Sequence, residues 1–216
     1  LSATSVLSTG AISSFGFVSD SRGRISIEST RAAPGDISAA PTGHNLNVNS
    51  ESISIQNTDL HAQEIDIRTG DPTLGNIDIG SSLLETVGGS IVFQGGKVYS
   101  VDSVIVASGQ GSGVEVRANS LTLEGVSGTS AIRSGELGTS GGHIDIKADA
   151  VTLMNKGELS TSSGGGREGG DILLDANTIL ISDNSQIALL AGASTRAGDI
   201  AVKTNDIRFK NNSSLN

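Results

Sequence analysis

The sequence predicts an all-β chain wound as a parallel β-helix, or β-solenoid, of about eight turns. Three observations carry this expectation. Short apolar-x-apolar segments recur at a fixed period, no stretch shows helical periodicity, and the Asn-Gly and Asp-Gly dipeptides that close two-residue hairpins do not occur. A β-sandwich is the alternative architecture.

The repeat is plainest from residue 111 onward, where GSGVEVRANSLTLEG, GGHIDIKADAVTLMN, GGDILLDANTILISD and AGDIAVKTNDIRFKN align. Val114, Ile144, Ile172 and Ile200 form a first apolar column, spaced 30, 28 and 28 residues. Val116, Ile146, Leu174 and Val202 form the second; Leu121, Val151, Ile179 and Ile207 the third; Leu123, Leu153, Ile181 and Phe209 the fourth. Alternation with period 2 describes a strand with one buried face, and the Gly, Asn, Asp and Ser between beats supply turns. A third short strand closes each unit at Leu159 and at Ile187-Ala188-Leu189, again 28 residues apart.

The two-beat rhythm is looser in the first half, at Ile25/Ile27, Leu46/Val48, Ile53/Ile55, Ile65/Ile67, Ile77/Ile79, Ile91/Phe93 and Val104/Val106. The chain therefore reads as one solenoid segment over 1–216, with irregular turns over 1–110 and regular turns of about 28 residues over 111–216. If each strand pairs with its equivalent one turn later, coils stack about 4.8 Å apart and eight make a rod of roughly 40 Å. Leu1 in place of Met, and a repeat that breaks off at Asn216, lead us to expect an excerpt of a longer chain.

Composition narrows the function. The 216 residues carry 23 acidic and 14 basic side chains, a net charge of −9, which disfavours nucleic acid, whose phosphates call for clustered Lys and Arg. Only 2% of residues are aromatic, so the core must be built of Ile, Leu and Val. The chain has no Cys, hence no disulfide framework or thiolate metal site, and no apolar run approaches the roughly 20 residues of a membrane-spanning helix.

Two polar columns accompany the apolar ones. Asn119, Asp149, Asn177 and Asn205 lie between the first and second beats. They read as Asx turn residues, tolerant of left-handed backbone angles and able to bond from coil to coil, rather than as metal-binding carboxylates. Gly113, Gly142, Gly170 and Gly198 read as corner residues with positive φ.

A search for chemistry nominates no catalytic, cofactor-binding or metal-binding residue. His44, His61 and His143 stand in unrelated contexts, and His143 occupies the slot of Asp171 and Asp199, an outward position. The GGGREGG run at 164–170 lacks the Lys-Ser/Thr ending of a phosphate loop and reads as a loop around Arg167. Asp66, Asp78, Glu115, Asp145, Asp171 and Asp199 fall on polar beats, where acidic side chains solvate the face and keep strand edges from self-association. Thr122 and Thr152 begin a threonine ladder that Leu180 and Arg208 interrupt, and Tyr99 is the one aromatic left for a sugar platform. The interval between Leu123 and Ile144, with Arg133 and Glu136, is the place where a catalytic wall would have to be built.

Ser14-Phe15-Gly16-Phe17-Val18 followed by Gly23-Arg24-Ile25-Ser26-Ile27, together with the units GGHIDIKADAVTL, GGDILLDANTILI and AGDIAVKTNDIRF, resembles filamentous-haemagglutinin-like two-partner-secretion exoproteins. The likeness is clearest at 14–27 and 111–210. It implies a right-handed shaft, exported to the bacterial cell surface or medium by an outer-membrane transporter and serving as an adhesin toward a glycan or protein receptor. The family's Asn-Pro secretion motifs do not occur, so the segment would be shaft rather than export signal. The expected function is a non-enzymatic shaft that presents binding surfaces, with no cofactor. The alternative is a polysaccharide lyase or glycosidase on the same scaffold.

Overall fold

The computed structural model of the chain describes residues 15–19, 24–29, 35–38, 45–50, 52–62, 64–109, 111–135, 142–163, 169–192 and 195–216, with side chains described from residue 52 onward. His44, Glu136 and Arg167 lie outside the described residues. The described chain contains strands and turns but no helix. In order the strands are β1 (Phe15–Ser19), β2 (Arg24–Ser29), β3 (Gly35–Ser38), β4 (Asn45–Ser50), β5 (Ser52–Gln56), β6 (Thr58–Ala62) and β7 (Glu64–Thr69). There follow β8 (Asn76–Gly80), β9 (Leu83–Val87), β10 (Ile91–Val101), β11 (Val104–Ser108), β12 (Val114–Glu124) and β13 (Ser130–Ser134). The last are β14 (Ile144–Met154), β15 (Gly157–Ser162), β16 (Ile172–Ile181), β17 (Gln186–Leu190), β18 (Ile200–Phe209) and β19 (Ser214–Leu215).

Pairing between these strands is parallel throughout, apart from the antiparallel pair β1–β2. That excludes a hairpin-built sandwich, since each strand pairs with its equivalent in the next coil. Every coil has three legs. The first runs through β4 and β7 into the leading half of β10; the second runs through β2, β5 and β8 into its trailing half. From β10 onward both legs share one bent strand, so β12, β14, β16 and β18 repeat the pair. The third leg is a separate ladder of eight strands, β3-β6-β9-β11-β13-β15-β17-β19. The chain is thus a parallel β-helix.

The register matches the sequence columns residue for residue: Val114↔Ile144↔Ile172↔Ile200 and Leu121↔Val151↔Ile179↔Ile207 are direct ladder partners. Their members in β12, β14 and β16 are buried, and the same columns continue backward through Ile91, Ile65, Val98, Ile77 and Ile53. Because Ile53, Ile77, Val98 and Leu121 stack in turn, the early coils take 24, 21 and 23 residues, which is why the rhythm looked irregular there. Pairing fixes the legs and leaves the corners free to vary in length. At the far end β18 has a neighbour on one side only, so Ile207 and Phe209 hold their column positions but are exposed.

The third leg has its own column, Leu60, Leu84, Ile105, Ile132, Leu159 and Ile187, every member fully buried. Only its last two members stood out in the sequence. One expected pair is corrected here: in β11 the inward residues are Ile105 and Ala107, in line with Leu84 and Ile132, rather than Val104 and Val106. The run Val104-Ile105-Val106-Ala107 is apolar on both beats, so alternation cannot choose a face; the ladder partners do.

The glycine column differs in mechanism from the expectation, and the Asn column in one respect: none of Asn119, Asp149, Asn177 and Asn205 has a positive φ. None of Gly113, Gly142, Gly170 and Gly198 has a positive φ. They are glycines because the coils touch there: a Cβ on Gly142 would overlap the Ser112 carbonyl, one on Gly170 the Gly142 carbonyl, and one on Gly198 the Gly170 carbonyl. The left-handed residues sit instead at the corner after the second leg, where Asn57, Ser81, Asp102, Asn155, Asp183 and Asn211 have φ between 47° and 57°. The Asn column does bond from coil to coil. Asn177 Nδ2 donates to Asp149 Oδ1 (3.2 Å) and Asn205 Nδ2 to Asn177 Oδ1 (3.3 Å), while Asn119 turns away to the Thr73 carbonyl (2.8 Å).

A hydroxyl column unannounced by the sequence completes the second corner. Ser82 Oγ donates to the Gly80 carbonyl (2.8 Å) and accepts the Thr58 N–H of the preceding coil (3.1 Å). Ser103 does the same with the Val101 carbonyl and the Ser82 N–H, and Ser185 accepts the Gly157 N–H at 3.0 Å. Buried backbone donors left over where strands end are thereby paired.

Two substitutions test the stacking. Ile172→Asp places an unpaired charge between coils and should cost about 4 kcal/mol or more, read as loss of the cooperative thermal transition. Gly142→Ala should cost about 1–3 kcal/mol through backbone overlap, whereas Gly70→Ala, with nothing within 4 Å of the added methyl, should leave Tm nearly unchanged.

Candidate functional site

The outer surface carries exposed ion pairs both within a strand and between neighbouring coils. Arg117 bridges Glu115 (3.1 Å) and Asp145 (2.5 Å), Arg68 meets Asp66 (2.6 Å), and Lys203 meets Asp175 (3.0 Å). Such exposed pairs are worth little individually. His61 Nδ1 lies 2.9 Å from Glu85. His143 is exposed as expected, but it sits just before β14 rather than within it, and its Nδ1 accepts the Asp171 N–H (3.2 Å). Asp171 in turn accepts the Asp199 N–H (2.8 Å), so this column ties the entry of each coil to the last. Tyr99 donates its hydroxyl to Glu124 (2.5 Å) under the Lys97 ammonium, and the carboxylate beside it pushes the phenol up to about 12.

The outer face of the third sheet is different. In β13, β15 and β17 the inward beat carries Ile132, Leu159 and Ile187, which sends Arg133, Glu158, Ser160, Ser162, Gln186 and Leu190 outward. Outward residues of a solenoid are normally wet, yet Glu158, Ser160 and Ser162 are all buried. Register places Glu158 opposite Gln186, and Arg133 opposite Ser160, one diagonal step from Glu158. Arg133 grips that carboxylate twice, Nε to Oε1 at 3.0 Å and Nη2 to Oε2 at 3.3 Å. Ser160 Oγ adds a bond to Oε1 (2.6 Å) and Gln186 Nε2 one to Oε2 (3.4 Å). Burial alone would push the Glu158 carboxyl up; the bonds from Ser160 and Arg133, with the guanidinium charge and Gln186, outweigh it and hold the group below its ordinary value.

Beside this cluster lies a cavity of about 510 Å³ lined by Val106, Arg133, Gly135, Glu158, Ser162, Gln186 and others. Ser162 Oγ is buried there without a hydrogen-bond partner among the described residues. The interval from Leu123 to Ile144 is therefore not one long loop: β13 runs through it and fixes Arg133 on a strand. Of its two nominated residues, Arg133 reaches the cavity and Glu136 lies outside the described residues. Sequence reading missed Glu158, Ser160, Ser162 and Gln186. The available signal was the run Glu158-Leu159-Ser160-Thr161-Ser162, polar on the outward beat yet free of the Lys and Asp found elsewhere, with Gln186 following Glu158 by 28 residues.

Among the described residues no three His, Asp or Glu side chains gather as a metal ion would require, and no helix is long and apolar enough to cross a membrane. Compared with protein families, curated proteins and solved structures, the chain matches none.

Arg133→Met strands a buried carboxylate and should cost about 1–3 kcal/mol in urea unfolding. Because the folded state holds Glu158 below its ordinary value near 4.5, its contribution is complete above that pH and fades as pH falls through the folded value. The acid limb of a Tm-versus-pH profile should accordingly be shallower in Glu158→Gln than in the wild type.

Proposed function

We propose that the chain is a non-enzymatic length of shaft from an exported cell-surface adhesin of the filamentous-haemagglutinin-like type, carried out through an outer-membrane two-partner transporter. Its work is to project and present surface to a glycan or protein receptor. The observation that carries the reading is the state of Glu158. A glycosidase needs a carboxylic acid whose pKa is raised, so that it can protonate a leaving group near neutral pH, and a second carboxylate across the cleft. Glu158 is held in the opposite sense, with both oxygens occupied by Arg133, Ser160 and Gln186. The register-matched coils support it too, since a rod of equivalent rungs is a spacer whose length scales with repeat number.

The alternative, a polysaccharide lyase or glycosidase, draws on the 510 Å³ cavity and on Arg133 standing in it. Prolonged incubation with pectate, alginate, xylan and hyaluronan separates the two. The shaft reading expects no new reducing or unsaturated ends, and it expects the chain, fused behind a two-partner secretion domain and co-expressed with the matching transporter, to become protease-accessible at the cell surface. Cleavage that disappears in Glu158→Gln would overturn it.

A further inference from the structure

The cavity on the third sheet holds a feature that the shaft alone does not explain. Ser162 is 4% exposed, and its hydroxyl finds no partner among the described residues, although buried hydroxyls are ordinarily bonded. The neighbouring hydroxyls show that this fold can satisfy such groups readily: Ser160 bonds Glu158, Thr161 the Gly170 carbonyl, and Ser163 the Thr195 hydroxyl. Ser162 points away from the core into the space bordered by Arg133, Gln186, Val106 and Leu190.

The chemistry of that space selects a ligand. Glu158 has its lone pairs taken up, and it neutralises Arg133. The guanidinium Nη1 takes no part in the grip on Glu158, which Nε and Nη2 make. Gln186 directs its NH₂ at a carboxylate, which leaves its carbonyl oxygen as an acceptor. Ser162 both donates and accepts. Val106 and the half-exposed Leu190 add an apolar flank. Interspersed donors and acceptors beside apolar side chains suit a pyranose, whose hydroxyls do both and whose ring carries a C–H face. The cavity falls within the roughly 300–1,000 Å³ of small-molecule sites. A locally neutral pair on a chain of net charge −9 gives no advantage to an anion.

We infer that the Arg133–Ser162–Gln186 cavity binds a short neutral saccharide. The inference rests on the reading of the chain as a shaft that presents binding surfaces, and names one such surface. With no aromatic platform in the cavity, affinity is expected to be weak, a Kd of about 1–10 mM.

Saturation-transfer NMR and titration calorimetry on the 216-residue chain, with the methyl glycosides of glucose, galactose and mannose and with methyl glucuronide as the acidic arm, test it. At least one neutral glycoside should bind saturably and compete with no loss against glucuronide. Ser162→Ala removes a hydroxyl that holds no protein partner, so Tm should stay level while affinity falls roughly three- to tenfold. Gln186→Leu should weaken binding comparably, and Ser162→Leu should block it. The proposal is overturned if no neutral glycoside saturates below about 50 mM, if the Ser162 and Gln186 variants bind as the wild type does, or if glucuronide alone binds. A chain that binds none of these sugars and cleaves no polysaccharide loses this site and keeps its role as shaft; one that cleaves loses the shaft reading.

Discussion

Successive coils of this chain must lie one hydrogen bond apart, about 4.8 Å, along all three legs at once. The other features follow from that spacing. A side chain on the inner face has its equivalents directly above and below it, so an inward position in one coil dictates the character of the same position in its neighbours. Aliphatic columns are the simplest solution, because Ile stacks on Ile, Leu or Val without strain. Where backbones approach most closely, at Gly142 against Ser112 and Gly170 against Gly142, not even a methyl group fits.

The same spacing governs the polar groups. A donor stranded at a corner has its nearest help one coil away, and the structure uses it repeatedly: Ser82 and Ser103 accept N–H groups from the coil before, and Asn205 reaches Asn177. Even inside the core the rule holds. Ser100 interrupts a column between Ile79 and Leu123, and its hydroxyl meets that of Ser130, buried as well. Against this background of pairwise satisfaction the outer face of β13, β15 and β17 is the exception, combining a buried carboxylate held by a half-exposed Arg133 with a hydroxyl that no described residue partners.

How much of this was legible in the sequence depended on whether a feature repeats. Val114, Ile144 and Ile172 recur at nearly constant spacing, so their column, the fold and the parallel pairing could all be read directly. The third-leg column was hidden because Ile105 sits in a run apolar on both beats and because Leu60, Leu84 and Ile105 stand 24 and 21 residues apart, against 27 for Ile105 to Ile132 and for Ile132 to Leu159. The Gly113, Gly142 and Gly170 column was legible as a column but not as a cause, since a dihedral need and a lack of room select the same residue. The Glu158 cluster was the least legible: Arg133, Glu158 and Gln186 meet across three coils and share no motif.

The direction of the ladders has a mechanical consequence. All three run their hydrogen bonds along the rod axis, while the covalent chain runs around it. One coil occupies about 4.8 Å of axis yet stores nearly 100 Å of contour in its 28 residues. Tension on the two ends of the polypeptide falls on the outermost rung, which peels before the next one feels the load. Such a rod yields in discrete lengths, one coil at a time, giving up some twentyfold of extension for each rung released while the remaining coils stay folded.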